Sequence, residues 1–218
     1  MVSESVYLHY LNSLLDGDKK QCQQIVTCLI EQNISIKEIY LQVFQRSMYR
    51  IGQMWEKERC SIASEHVATR ITESLIEYVA DTYSSELKIG KVALITCIDK
   101  EYHELGARMV AGFLDALGWE TIFLGANTPQ SEIINFIREK KPVMIGISSS
   151  FYINIMRLIS LIEEIKEEFP DQEIIVGGLS LSNGRSDCLK KYANVHYITC
   201  LNGLERYLEK KQGLGVRD

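Results

Sequence analysis

The sequence predicts an α/β protein in two parts: four amphipathic helices over residues 1–86, then a five-stranded parallel sheet flanked by helices over residues 87–218. Two observations carry this. Up to about residue 83, apolar residues recur at three- and four-residue spacing, the period of a helix with one buried stripe. After the polar stretch 84–90 the period changes, and short unbroken apolar runs alternate with amphipathic segments, as in βα units whose strands are covered on both faces.

The first two helices are expected over 4–15 and 18–32, because Val6, Tyr7, Tyr10, Leu11 and Leu14 share one face and Asp16-Gly17-Asp18 breaks the pattern. A third begins at Ser35, where Ser35 and Glu38 have the spacing of a capping box. Its stripe runs through Ile36, Ile39, Tyr40, Val43, Phe44 and Ile51 to Trp55, and a fourth helix follows over 61–83. Strands are expected at 92–96, 121–124, 143–148, 173–176 and 195–199, with helices near 104–117, 130–140, 152–168, 185–192 and 202–211. Thr128 as N-cap and Pro129 at the first helical position would announce the second of these helices. Five such units predict a doubly wound, flavodoxin-like (Rossmann-like) sheet of strand order 2-1-3-4-5.

Composition excludes several functions. The chain has 218 residues, 46% of them hydrophobic, and a net charge of −5, with no basic stripe in either part for phosphate contacts, so direct nucleic-acid binding is not expected. No apolar run approaches the roughly 20 residues that span a bilayer, and no basic-then-apolar leader opens the chain, which predicts a cytoplasmic protein without membrane contact. Cys22, Cys28, Cys60, Cys97, Cys188 and Cys200 form no CxxC pair and have no zinc-ligand spacing, so they read as reduced, small hydrophobes.

In an open parallel sheet, ligands bind beyond the carboxyl ends of the strands, near the point where strand order reverses. The distinctive residues lie at those ends. Asp99-Lys100-Glu101-Tyr102-His103-Glu104-Leu105-Gly106 follows the first strand, Leu124-Gly125 ends the second, Ser148-Ser149-Ser150 ends the third, and Gly177-Gly178 ends the fourth. His103 can offer a ring nitrogen to a metal while Glu101 accepts the other ring N–H, which fixes the tautomer and raises ligand basicity. Gly106, Gly177 and Gly178 remove side chains where a ligand could lie against backbone. Ser148 and Ser150 can hydrogen-bond a buried polar group of that ligand. Bulky residues at Gly106 or Gly178 are therefore expected to block the ligand and leave the fold intact.

Together these pieces resemble the cobalamin-binding domain family, whose DxHxxG loop after the first strand, Ser motif after the third and GG after the fourth hold base-off cobalamin. Glu101, His103 and Gly106, then Ser148, then Gly177 and Gly178 match in order, over residues 88–211. Glu101 stands where the family has Asp, which keeps the carboxylate and lengthens its reach. Ser150 stands where an apolar residue is usual. The resemblance implies that His103 is the lower axial ligand of the corrinoid cobalt.

The helical part carries a second pattern, Trp55 followed ten residues later by Glu65 and then His66. It resembles the cap of cobalamin-dependent photoreceptors and related transcriptional regulators, in which Trp and Glu enclose the upper ligand and His can take the cobalt after photolysis. The resemblance implies a four-helix cap over the upper face of the corrin, His66 as a second cobalt ligand, and adenosyl- or methylcobalamin as cofactor. The expected function is thus a light or cobalamin-state sensor and regulator acting through a protein partner, since no DNA-binding segment precedes the cap, and possible as a homo-oligomer. The alternative is a corrinoid methyl carrier of a methyltransferase system. Neither reading gives the chain a catalytic set of its own, because the hard chemistry would belong to the cofactor.

Overall fold

The structure, a computed structural model, describes residues 1–211. The chain divides into two compact units, residues 1–84 and residues 85 onward. Among the described residues, no helix is long and apolar enough to cross a membrane.

The first unit is helical: α1 (Glu4–Leu15), α2 (Lys19–Glu31), a run made of α3 (Ile36–Glu38), a π-helical stretch (Ile39–Gln45) and α4 (Arg46–Glu56), then α5 (Ile62–Tyr83). Side-chain caps start each helical run. Ser3 accepts from the Val6 N–H at 3.3 Å, Asp18 from Gln21 at 2.9 Å, Ser35 from Glu38 at 3.2 Å and Ser61 from Ser64 at 3.0 Å, each satisfying an otherwise orphan donor. Only half of the expected capping box forms: the Glu38 carboxylate lies 3.4 Å from the Met1 ammonium. The core is built on Tyr10, Leu14, Tyr40, Phe44, Leu75 and Ile76, with the Phe44 ring 5.9 Å from those of Tyr10 and Tyr40. The π stretch is invisible in the sequence pattern; its wider turn puts Ile39, Tyr40, Val43 and Phe44 all in that core.

The second unit is the expected doubly wound sheet, of order β2-β1-β3-β4-β5 and parallel throughout. Its strands are β1 (Val92–Cys97), β2 (Glu120–Gly125), β3 (Met144–Ser148), β4 (Glu173–Gly177) and β5 (Val195–Tyr197). The central strands β1, β3 and β4 are almost wholly buried while the edge strand β2 is half-exposed, as two-face coverage demands. Helices α6 (Leu105–Ala116), α7 (Gln130–Lys140), α8 (Ile155–Glu168) and α9 (Leu201–Lys211) cover the faces. The chain leaves β1 for the outer strand β2 and returns to β3 on its other side, so the order reverses between β1 and β3 and the loops after those strands frame the crevice.

Three local expectations are corrected. Residues 185–192 do not form an α-helix: a 3-10 segment, Arg185–Leu189, follows the left-handed Gly184 (φ 82°), and its five residues are too few to sustain an α-helix. The fifth strand stops at Tyr197. Pro129, not Thr128, is the N-cap of α7, because the Thr128 hydroxyl turns back to donate to the carbonyls of Leu124 and Gly125, both at 3.4 Å.

Candidate functional site

The β1–α6 loop is organised around a fully buried carboxylate. Glu101 has no exposed surface, and a buried charge persists only if it is hydrogen-bonded. One oxygen accepts from the His103 backbone N–H at 3.0 Å and from His103 Nδ1 at 2.8 Å. The other crosses to the β3–α8 loop, accepting from the N–H of Ser150 at 2.7 Å and of Phe151 at 3.4 Å. Burial pushes the Glu101 carboxyl up, but the bonds from the His103 ring, the Ser150 N–H and the His103 N–H outweigh it and hold the group below its ordinary value. Glu101 is therefore an anion tying together the two loops at the reversal of strand order.

His103 projects from this anchor with 61% of its side chain exposed. With Nδ1–H on the carboxylate, the coordinating lone pair belongs to Nε2. The ring meets Phe151 edge to face, 4.7 Å between centroids at 81°, which fixes its second rotational degree of freedom. Beneath it, the Cys97 thiol is pushed up to about 12 by burial and by the charges of Glu101 and Glu104, so it stays protonated and is no thiolate ligand.

The glycines fall into two kinds. A Cβ on Gly106 would meet nothing within 4 Å, and one on Gly177 only the Ile198 carbonyl at 3.9 Å. Gly178 has φ 90°, and a Cβ there would lie 2.2 Å from the Ser149 carbonyl oxygen. Gly106 thus borders open space, whereas Gly178 is required for the fold itself, and the expectation that Gly178 tolerates a bulky residue is corrected. The serines also differ from expectation. Ser148 is buried and Ser150 contributes its backbone N–H to Glu101, but in the loops after β3 and β4 the buried hydroxyls without a hydrogen-bond partner among the described residues are those of Ser149 and Ser180. Around His103 the strand-end loops expose Tyr102, Phe151, Tyr152, Ile153 and Leu179, an apolar rim on a polar anchor.

In the helical unit, Trp55 ends α4 half-exposed, and Glu65 and His66 sit in the first turn and a half of α5. The Glu65 carboxylate accepts from the Thr69 hydroxyl at 2.8 Å and lies 3.8 Å from His66 Nε2. Consecutive helical residues point about 100° apart. Accordingly, Glu65 flanks the buried stripe while His66, 69% exposed, borders a groove with Gly17, Lys19, Val67 and Arg70. Direct bonds join Glu101, His103 and Ser150; no such network joins Trp55 to Glu65 and His66 among the described residues.

This arrangement fits a corrinoid. Among the described residues, no three His, Cys, Asp or Glu side chains converge to cage a metal ion, so His103 suits a metal that brings its own equatorial donors. Open space in front of Gly106, orphan hydroxyls at the ends of β3 and β4, and the apolar rim suit a large ligand with a polar tail. Sequence reasoning gave no role to Phe151, Ser149 and Ser180; their place within three residues of strand ends was the available signal.

Known proteins agree. The B12 binding domain family matches residues 91–207, and a second family of B12 binding domains matches residues 9–80. Trimethylamine corrinoid protein 1 of Methanosarcina acetivorans is 21% identical over 189 residues, 84% of this chain and 88% of that protein. The HTH-type transcriptional repressor CarA of Myxococcus xanthus is 26% identical over 121 residues, 56% of this chain and 42% of that protein. Among solved structures, the monomethylamine corrinoid protein of Methanosarcina barkeri superposes with a TM-score of 0.81 at 13% identity, covering 96% of this chain and 100% of that one. The methanol:cobalamin methyltransferase complex MtaBC of the same species gives a TM-score of 0.51 at 13% identity, covering 100% of this chain and 83% of that one. The chain belongs to the B12 binding domain family, and cobalamin is its cofactor.

Proposed function

We propose that the chain is a corrinoid methyl carrier that works with separate methyltransferase proteins. The observation that carries this reading is the extent of the likeness: the corrinoid proteins of methylamine systems match 84% of the chain, through both units, whereas the repressor matches 56%. The sensor reading rests on Trp55, Glu65 and His66. The Glu65 carboxylate does lie 3.8 Å from His66 Nε2, but no bond joins Trp55 to that pair among the described residues.

Bound, the corrinoid supplies a cobalt that can accept and release a methyl group. The residues of the chain hold and tune it. His103 would hold the cobalt through Nε2, with Glu101 keeping the Nδ1 proton in place and strengthening the donor. Gly106 leaves room beside the loop, Gly177 and Gly178 keep the end of β4 free of side chains, and Ser148, Ser150, Ser149 and Ser180 supply polar groups for the tail. Trp55 and Glu65, in the helical unit, would contribute to the cover of the upper ligand. The partner is a methyltransferase.

The test loads the full chain with cobalamin, reduces it, and supplies methyl iodide as donor. The carrier reading expects the methylated cofactor to form on wild type and on His66→Ala alike, and base-off, His-on spectra to vanish in His103→Ala. If illumination of the adenosylcobalamin-loaded protein instead produces a bis-imidazole spectrum that His66→Ala abolishes, the sensor reading replaces it.

A further inference from the structure

Glu101 can hold His103 only if the chain turns abruptly just before it, and that turn is strained. Lys100 has φ 61°, a left-handed conformation that a residue with a Cβ rarely adopts. Something must hold it there. The turn is closed by its own bond from the Glu101 N–H to the Ile98 carbonyl at 3.1 Å, and further contacts come from the β2–α7 loop, which follows the neighbouring strand. Asn127 accepts the Lys100 N–H on its side-chain oxygen at 3.0 Å and donates its own N–H to the Glu101 carbonyl at 2.9 Å, so its two bonds straddle the turn. Asn127 is itself left-handed, with φ 52°, a conformation that asparagine tolerates better than most residues. The same loop is fastened a third time, the Ala126 N–H donating to the Glu104 carboxylate at 2.7 Å. The β3 side grips Glu101 by its carboxylate and the β2 side grips it by its backbone.

We propose that Asn127 is a positioning residue for the cobalt ligand: its two hydrogen bonds hold the Lys100–Glu101 turn, which sets the Glu101 carboxylate and through it the orientation and tautomer of His103. This rests on the reading of His103 as lower ligand. The two hydrogen bonds of Asn127 both go to the backbone of Lys100 and Glu101, so they act on His103 through Glu101.

The test compares Asn127→Gly, which keeps left-handed backbone and loses the side-chain acceptor, with Asn127→Asp, which keeps both. In the cofactor-free full chain, the ring nitrogen resonances of His103 report its tautomer and its bond to Glu101. In the cobalamin-loaded, one-electron-reduced chain, the nitrogen splitting in the electron paramagnetic resonance spectrum reports imidazole coordination. Asn127→Gly is expected to move the His103 resonances toward a mixture of tautomers and to lower His-on affinity by about 10-fold, the smaller effect of losing a group that orients a metal ligand. Asn127→Asp is expected to restore both. Wild-type resonances and splitting in Asn127→Gly, or disturbed ones in Asn127→Asp, overturn the proposal. His103→Ala separates this from failure of the parent reading: if it retains the splitting, His103 is not the ligand at all.

Discussion

Replacing Gly178 and Gly106 by alanine, one at a time, should move the stability of the sheet unit in opposite directions. At Gly178 the added Cβ must adopt φ 90°, at a cost of roughly 1–2 kcal/mol or more. It would also lie 2.2 Å from the oxygen, 2.6 Å from the carbon and 3.0 Å from the nitrogen of Ser149, all backbone atoms in a loop already bonded to Gly177 and Ser180. Forcing such a loop apart costs about 1–3 kcal/mol, as overpacking does elsewhere. The total is about 2–5 kcal/mol, a large part of an ordinary domain's stability. At Gly106 the Cβ meets nothing within 4 Å and the residue is helical, so alanine should stabilise by about 0.5–1 kcal/mol. The two midpoints in urea should then differ by about 1 M or more, taking a slope of about 2 kcal/mol/M. The assay uses the two tryptophans, one in each unit: with Trp55→Phe as background, the buried Trp119 reports the sheet unit alone. Equal midpoints for the two variants would show that the close approach of β4 to the β3 loop is not rigid, and the reasoning would fail.

Glu101→Gln places an amide N–H against a donor on one of its two sides, so cobalamin titrated by visible absorbance should bind about 10–100-fold more weakly. Gly106→Leu should exclude the cofactor in the same titration while the circular dichroism of the cofactor-free chain stays that of wild type, because the side chain enters open space. Glu173, on β4, accepts from Lys211 at 2.7 Å and from Tyr207, and lies 3.1 Å from His196; burial pushes it up, but those bonds and charges hold it below 4.5. A depressed carboxylate contributes stability above its unfolded value and loses it as pH falls through the folded one, so the hydrogen-exchange protection factors of α9, corrected for intrinsic exchange, should fall on acidification below about pH 4.5. Glu173→Gln should remove that dependence. Tyr40→Phe removes a buried bond of 3.2 Å to the Ile76 carbonyl and should cost the helical unit about 1 kcal/mol in thermal unfolding.

Periodicity made the elements of this protein legible, and five βα units in this length pointed to the doubly wound strand order. A stripe of period 3.6 can be buried only on a helix, and an unbroken apolar run only in a strand covered on both faces, so the four helical runs, the five strands and the order 2-1-3-4-5 were legible before any coordinates. Loop position made the anchor legible too: Glu101 and His103 are two residues apart, close enough along the chain for a carboxylate to reach a ring nitrogen. Tertiary structure alone decided what depends on atoms brought from distant parts of the chain. The second pair of donors on Glu101 comes from residues 150 and 151, the ring against His103 from Phe151, and the brace on its turn from Asn127, all set by the packing of neighbouring strands and not by any local pattern. The two site glycines, Gly106 and Gly178, read alike in the sequence because glycine records only the absence of a side chain. Whether that absence makes room for a ligand or lets two backbones touch is fixed by what stands opposite, and only the folded chain supplies that.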